Sequence, residues 1–535
     1  MKYLIAILML SVGLNQLSAQ NGYFVSFTDK NDSPYSINAP ETFLSERAIE
    51  RRVKQNIAIS ESDLPVNPKY IDSLRNAGIE VRHTTKWLNG AIVFSADQNL
   101  MDTLDRVSFI KAVDLTKPTQ AADTRKKLET NYPLLKSGSS DQYGAAWSQI
   151  RTVNGHKLHQ QNYTGHGIQI AIIDAGFYKV DELPLFGSLW DKRQILGTKD
   201  FVNPASDIFN EHYHGMNVLS IIGGQLDNEY LGTAPDASFW LLRTEDVHSE
   251  HPIEPDYWIC AAEFADSVGV DIINTSLGYY EFDSPSKDYT YNDLNASTRV
   301  SRASDIASSK GMLIITSAGN EGNGSWRYIG TPADAKHCIA VGAMTADSIK
   351  AGFSSFGPTA DGRVKPDITA QGVAVAVQNS SDGISNGNGT SFSAPVVSGL
   401  AACLWQAMPD KSAAEIRDLI IKSGHQYTKP DDKMGYGIAN FQLAYHVNVN
   451  DMVKSDFNWK VSPNPFSQYL NVTGNNKQNI TISIYDVLGN LKYQKEYYNT
   501  DRVTVNNIAH FAKGIYIVSI KSQHLKHHVK VIKSH

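Results

Sequence analysis

Short apolar runs and amphipathic stretches alternate along most of this chain, and the texture of the alternation changes at three places. Residues 23–27 read as a strand, 68–77 as a helix ending at Gly78, 89–96 as a strand, 98–107 as a helix and 109–113 as a short strand. Together they predict a compact α+β unit of about 90 residues. Residues 115–140 then turn polar and irregular, a linker that an endopeptidase can reach. Between about 160 and 445, residues 168–173, 239–242, 271–275, 312–317 and 339–341 read as buried strands, and 257–268, 295–308 and 394–408 as helices. Such alternation predicts a parallel sheet with helices on both faces, whose functional site lies beyond the carboxyl ends of the strands. From Pro463-Asn464-Pro465-Phe466 onward, short alternating strands at 470–472, 480–485, 491–497, 503–505 and 514–520 are punctuated by Gly474, Gly489-Asn490 and Asn506-Asn507. That pattern predicts a small β-sandwich.

The N-terminus adds a compartment. Lys2 precedes an apolar run over residues 3–14, and Leu17-Ser18-Ala19 supplies a small residue at a cleavage point, the pattern of a secretory signal peptide. The run is shorter than the roughly 20 residues of a spanning helix. Composition supports a sizeable core: 535 residues are 41% hydrophobic and 19% charged. The last 77 residues carry ten Lys/Arg against three Asp/Glu, so the rest of the chain is net −13 within an overall charge of −6. The basic residues of that tail are scattered, with no run of five, so nucleic acid is not expected as a partner. Cys260, Cys338 and Cys403 each sit among apolar residues and read as buried thiols rather than a disulfide framework.

Three segments set a reactive side chain just after a strand or at the head of a helix. Asp174 ends the apolar run Ile170-Ala171-Ile172-Ile173 and precedes Ala175-Gly176. His214 opens a helical stretch in which Gly215 permits close approach, and Ser391 lies in Gly389-Thr390-Ser391-Phe392-Ser393-Ala394-Pro395 ahead of an apolar helix. There the helix N-terminus favours a developing negative charge. A serine hydroxyl becomes a nucleophile when an imidazole takes its proton, and the imidazole needs a carboxylate to set its tautomer. Asn320, in Ser317-Ala318-Gly319-Asn320 after a strand, adds an amide able to donate to an oxyanion.

These segments, with Ser276-Leu277-Gly278 and in this order, resemble the subtilisin-like serine proteases over about 290 residues. The resemblance implies that Asp174 orients the base, His214 is the base, Ser391 the nucleophile and Asn320 the oxyanion donor. It further implies that Ser276, Leu277 and Gly278 pair with the substrate backbone, and that Ala318 and Gly319 wall the pocket for the side chain before the scissile bond. Met216 stands where the family usually has Thr, and Phe392 where it usually has Met. The first unit resembles a subtilase propeptide, which acts as intramolecular chaperone and inhibitor. The tail, with Ala512-Lys513-Gly514-Ile515-Tyr516-Ile517, resembles the C-terminal sorting domain of type IX secretion.

The expected organisation is therefore an α/β chain: signal peptide 1–19, propeptide-like α+β unit and linker 21–122, parallel-sheet subtilisin-like peptidase 123–450, and C-terminal sorting domain 455–535. The expected protein is a secreted or cell-surface bacterial serine endopeptidase, made as a proenzyme and acting through an acyl-enzyme on polypeptides. The alternative is a catalytically silent surface binding protein on the same fold. No cofactor is expected for catalysis, and structural calcium finds no motif in its support. His248 with His251, and His527-His528, read as surface histidines rather than metal ligands. Gly383-Ile384-Ser385-Asn386-Gly387 matches the G-x-S-x-G elbow of a different hydrolase class, with Asp410 and His425 following it. Its setting reads as a polar loop without the strand and helix that an elbow requires.

Overall fold

The computed structural model describes residues 20–119, 142–446, 459–486, 490–522 and 526–534; the signal-peptide reading and most of the linker fall outside them. The chain divides into two compact units, residues 1–444 and 445–535.

The first unit begins with four antiparallel strands, β1 (Asn21–Phe27), β2 (Glu80–Thr85), β3 (Gly90–Ser95) and β4 (Ile110–Lys117), in the order β2-β3-β1-β4. Helices α1 (Glu46–Lys54), α2 (Pro68–Asn76) and α3 (Gln98–Thr103) accompany them. Period-2 alternation divides the two central strands between two cores. Tyr23, Val25, Phe27, Ala91 and Val93 pack with Ile71 and Leu74 of α2. Phe24, Ile92 and Phe94 point the other way, onto Tyr257, Trp258 and Ala261 of the following part. A strand buried on both faces is apolar throughout, which is why 91–94 reads as an unbroken apolar run.

Two elements here escape the hydrophobic pattern. Strand β2 carries Glu80, Arg82 and His83, and α1 buries Ala48, Arg51 and Arg52 while Val53 is 73% exposed. The linker also starts later than its composition predicts, because 115–117 belong to β4.

Seven strands then form one parallel sheet: β5 (Gln169–Asp174), β6 (Ile195–Asp200), β7 (Ser238–Arg243), β8 (Ile272–Thr275), β9 (Leu313–Ser317), β10 (Ile339–Met344) and β11 (Ile368–Gln371), in the order β11-β10-β9-β8-β5-β7-β6. Helices α4 (His214–Gly223), α5 (Ile253–Val268), α6 (Arg299–Ser309), α7 (Thr390–Ala407) and α8 (Ala413–Lys422) accompany it. Helices α5 and α6 pack together on one face, and α7 lies across β8 to β11 in contact with α4. Cys260, Cys338 and Cys403 are free and buried, as their apolar settings predict. A hairpin of β12 (Val375–Gln378) and β13 (Ile384–Gly387) precedes α7, so Ser385 lies in a strand rather than the loop expected there. Strand pairing, not a strand-turn-helix elbow, holds it.

The second unit contains β14 (Lys460–Ser462), β15 (Leu470–Asp486), β16 (Leu491–Val505), β17 (Gly514–Lys521) and β18 (Lys526–Lys533). The short strands expected at 470–472 and 480–485 are one long strand whose register shifts after Thr473. The first half of β15 pairs with β14 and its second half with β17, while β16 runs along its other edge. The resulting small β-sandwich encloses Trp459, Leu470, Ile482, Val505, Val518 and Val531.

Charge joins the N-terminal sheet to α5. Asp266, fully buried, accepts from Arg51 at 2.6 Å, Arg52 at 2.9 Å and Lys86 at 3.0 Å. Burial opposes its charge, but Lys86, Arg51 and Arg52 outweigh it and hold the carboxyl far below its ordinary range. Glu263 accepts from the backbone N–H of Lys86 and Trp87, at 2.7 and 2.9 Å. His83 donates through Nε2 to the Phe201 carbonyl at 2.8 Å, with Phe201 and Tyr257 against its ring. Burial pushes its pKa down to about 4; Lys199 and Arg82 push the same way, while the Phe201 carbonyl and Asp200 oppose. The docked imidazole thus binds fewer protons than a solvated one of pKa about 6.5, so acid favours separation. Once the linker is cut, affinity between the N-terminal unit and the rest should weaken progressively from pH 6.5 toward 4, by about 20-fold at pH 5 relative to neutrality. Binding measured at pH 7.5 and 5 checks this; equal affinities, or the same loss in His83→Leu, would refute it.

Candidate active site

The sheet order brings the carboxyl ends of β8, β5 and β9 side by side, and the singled-out residues lie there. Asp174 is the last residue of β5 and is fully buried. Its Oδ1 accepts from the Ala175 N–H at 2.7 Å and from His214 Nδ1 at 2.8 Å. That second bond puts the imidazole proton on Nδ1 and makes Nε2 the basic nitrogen. His214 begins α4, and Gly215 beside it touches the strand end so closely that a Cβ would lie 2.4 Å from the Gly176 carbonyl and 3.0 Å from Asp174 Cβ. The His214 N–H donates to His212 Nδ1 at 3.2 Å. Burial, with His214 adding, pushes the His212 pKa down to about 4, against the pull of Asp174.

Ser391 is the second residue of α7, an 18-residue helix. Pro395 stands four residues later, so the Ser391 carbonyl receives no helical N–H. Ser276 supplies the missing donor: its Oγ donates to that carbonyl at 2.8 Å, and Ser391 Oγ donates in return to the Ser276 carbonyl at 3.2 Å. The nucleophile candidate is therefore bolted to the segment that follows β8. Phe392, in the position usually held by Met, is buried with its ring centroid 5.8 Å from that of His214, and Met216 is buried in α4. Phe392 thus packs against the imidazole.

Asn320 is oriented by Thr390, a residue the sequence motif contains but whose role it does not announce. Asn320 Oδ1 accepts from the Thr390 N–H at 2.9 Å and from Thr390 Oγ1 at 3.0 Å, so the amide donors lie at the opposite end of the group. Gly319 has φ of +110°, and a Cβ there would lie 2.9 Å from Ser355 Oγ, two reasons for glycine at this turn.

One cleft of about 280 Å³ contains Ser276, Leu277, Gly278, Gly319, Asn320 and Ser391. Ala318 packs behind Gly319, fully buried with Leu294 and Ile329. The cleft also holds residues absent from the expected set, above all Glu245 and Glu250. Glu245, Glu250 and Glu254 each offer an oxygen within 4.8 Å of the others, the metal-capable acidic group found among the described residues. Their spacing in sequence matches no metal motif, and only the fold draws them together. Of the histidines, His251 corrects the surface reading: it is 2% exposed, with Nδ1 3.2 Å from Ser286 Oγ. His248 is exposed, while the side chains of His527 and His528 lie outside the described ones.

Comparison with known proteins places this geometry. The subtilase family profile of peptidase S8 matches residues 165–437, the peptidase S8 propeptide domain of Bacteroidota matches 22–131, and a secretion system C-terminal sorting domain matches 460–534. Subtilisin NAT of Bacillus subtilis subsp. natto is 31% identical over 301 residues, covering 55% of this chain and 70% of its own. Subtilisin DY of Bacillus licheniformis is 30% identical over 300 residues, covering 55% and 97%. Serine protease AprX of Bacillus subtilis (strain 168) is 28% identical over 307 residues, covering 52% and 65%. The sorting domain marks a secreted or cell-surface bacterial protein. The chain belongs to the subtilase family, a serine endopeptidase that carries an N-terminal propeptide domain and a C-terminal sorting domain.

Proposed function

We propose that Asp174, His214 and Ser391 act as a catalytic triad in peptide-bond hydrolysis. The observation that carries this reading is the buried 2.8 Å bond from His214 Nδ1 to Asp174 Oδ1, made beside the cleft that holds Ser391. Nε2 of His214 takes the Ser391 hydroxyl proton as Oγ attacks the substrate carbonyl, and Asp174 stabilises the resulting imidazolium. The tetrahedral oxyanion receives the Asn320 side-chain amide, aimed by Thr390, and the Ser391 N–H in the first turn of α7. His214 then protonates the leaving amine, and water hydrolyses the acyl-enzyme by the reverse exchange. Residues 276–278 lead from a fully buried strand to the exposed Gly278, an edge on which extended substrate backbone can pair. Gly319 forms a wall of the pocket for the side chain before the cut, with Ala318 as its buttress. The N-terminal unit serves as chaperone and inhibitor until the linker is cut, and the tail is read by the type IX secretion machinery.

Three outcomes test these roles. Ser391→Ala should abolish labelling by a fluorophosphonate and release of the N-terminal unit; undiminished labelling would remove Ser391 from its role, and an unreactive wild type would favour a silent scaffold. Peptidase activity should fall as pH drops below about 7, because only neutral imidazole accepts the proton. His212, with its pKa near 4, stays uncharged over that range, so the acid limb reports His214; a flat profile to pH 5 would contradict this. Gly215→Ala should lower kcat at least tenfold, since its Cβ must displace α4 from Asp174 at an overpacking cost of about 1–3 kcal/mol. Retained kcat with unchanged Tm would show that the contact is not needed.

A further inference from the structure

The carboxyl ends of β5, β7 and β6 lie level, so Asp174, Arg243 and Asp200 form a row across neighbouring strands. Arg243, the middle one, is 5% exposed. A buried guanidinium needs acceptors for its donors, and the three it finds lie in different directions. Nη1 donates to Asp200 Oδ2 at 2.8 Å, Nε donates to the Ala175 carbonyl at 3.2 Å, and Nη2 lies 3.2 Å from Glu211 Oε2. Asp200 is fixed by its own loop: it accepts from the N–H groups of Val202 and Asn203 at 2.8 Å each and from Ser206 Oγ at 2.5 Å. It therefore serves as an anchor. The other two acceptors belong to the segments that carry the acid and the base, since Ala175 follows Asp174 and Glu211 stands three residues before His214.

Those two segments are also bonded to each other. The Phe177 N–H donates to the Ile208 carbonyl at 2.9 Å and the Tyr178 N–H to the His212 carbonyl at 3.4 Å. Gly176, at φ of +149°, leaves no room between them: a Cβ there would lie 2.4 Å from the His212 nitrogen and 2.7 Å from Glu211 Cβ. Because His212 Nδ1 takes the His214 N–H, a displacement of Glu211 passes through the next residue to the head of α4. On the acid side, the Thr244 N–H donates to the Asp174 carbonyl at 3.0 Å, so Arg243 and its neighbour grip the end of β5 at two consecutive carbonyls. Neutralising the Arg243 charge requires one carboxylate, and a lysine on Asp200 would suffice for that. Bridging an anchor and two loops requires a planar fork with donors on several edges.

We infer that Arg243 is a positioning residue of the peptidase reaction: anchored on Asp200, its guanidinium clamps the segment after Asp174 to the segment before His214 and so sets the separation of acid and base. The inference deepens the proposed function and rests on Asp174, His214 and Ser391 as the triad. Arg243 touches no reacting atom, and its effect on the reaction passes through the 2.8 Å bond between His214 Nδ1 and Asp174.

The test uses the processed enzyme obtained from the full chain, with active sites counted by fluorophosphonate titration and kcat expressed per titrated site. Arg243→Lys, which keeps a cation on Asp200 but loses the fork, should lower kcat about tenfold or more with KM within about twofold, because a catalytic group displaced by about 1 Å costs up to roughly a hundredfold. Glu211→Ala, which removes one tether at a partly exposed position, should lower kcat about fivefold in the wild type and less than about twofold on top of Arg243→Lys, since both act through one clamp. Glu211→Gln, which still accepts from Nη2, should restore most of the Glu211→Ala loss. A lower Tm or fewer titratable sites with kcat per site unchanged would make Arg243 a stabilising residue alone and overturn the inference. Losses that simply multiply in the double variant would overturn it too. Where Arg243→Lys does not fold, the two Glu211 variants decide. An active, labelled wild type whose variants keep their kcat sinks this inference alone, whereas a wild type that neither labels nor cleaves any peptide sinks the proposed function as well.

Discussion

A single missing hydrogen-bond donor organises the site. Pro395 cannot give an N–H to the Ser391 carbonyl, and a buried carbonyl at the head of α7 needs a partner. Ser276 meets that need, and in doing so locks the helix that carries the hydroxyl to the end of β8. Asn274 donates to Ser276 Oγ at 3.2 Å and accepts from Ser398 Oγ at 2.7 Å, which extends the lock about two turns further into the helix. Thr390 repeats the device on the other side, holding Asn320 at the end of β9. The Ser391 hydroxyl, the Asn320 amide and the segment after β8 are thus parts of one hydrogen-bonded frame rather than independent loops, and their spacing cannot drift without breaking buried bonds.

The same economy governs the contact between the N-terminal unit and the peptidase part. Apolar residues of β1 and β3 supply area, while Asp266 and Glu263 on α5 receive the cations and backbone donors of α1, β2 and the turn after it. Arg52 is shared between Asp266 and Asp63, and Lys310 of the peptidase part reaches Asp63 at 2.9 Å, so the ions form a chain rather than isolated pairs. Buried ions are costly when left unpaired, by about 3–5 kcal/mol for a broken pair. Such a network therefore favours one mode of docking over looser ones, and withdrawal of the unit must hydrate several charges at once.

Much of the architecture was legible because it follows from period and composition. Strands β5, β7, β9 and β10 are built around continuous apolar runs, as burial on both faces demands, and the three cysteines are as buried as their neighbours imply. Illegible were the elements whose buried positions are polar. Helix α1 turns Arg51 and Arg52 inward and Val53 outward, the reverse of an amphipathic pattern, because its partner surface is Asp266 rather than hydrocarbon. Strand β6, at the sheet edge, mixes exposed and half-buried residues, and Ser385 sits in a hairpin whose strand has only four residues.

The sequence by itself determined which residues had the chemistry: an acid after a strand, an imidazole and an alcohol at helix heads, an amide after another strand, all in the order of one family. Short-range rules suffice there, since strand ends and helix starts are set by neighbours along the chain. Only tertiary structure decided the partnerships: that Nδ1 of His214 meets Asp174, that Thr390 turns the Asn320 amide, and that Glu245, Glu250 and Glu321, spread over 76 positions of sequence, border a single cleft. The reason is that electrostatic and hydrogen-bond energies depend on distance in space, and a parallel sheet with helical crossovers sets strands side by side in an order different from their order along the chain.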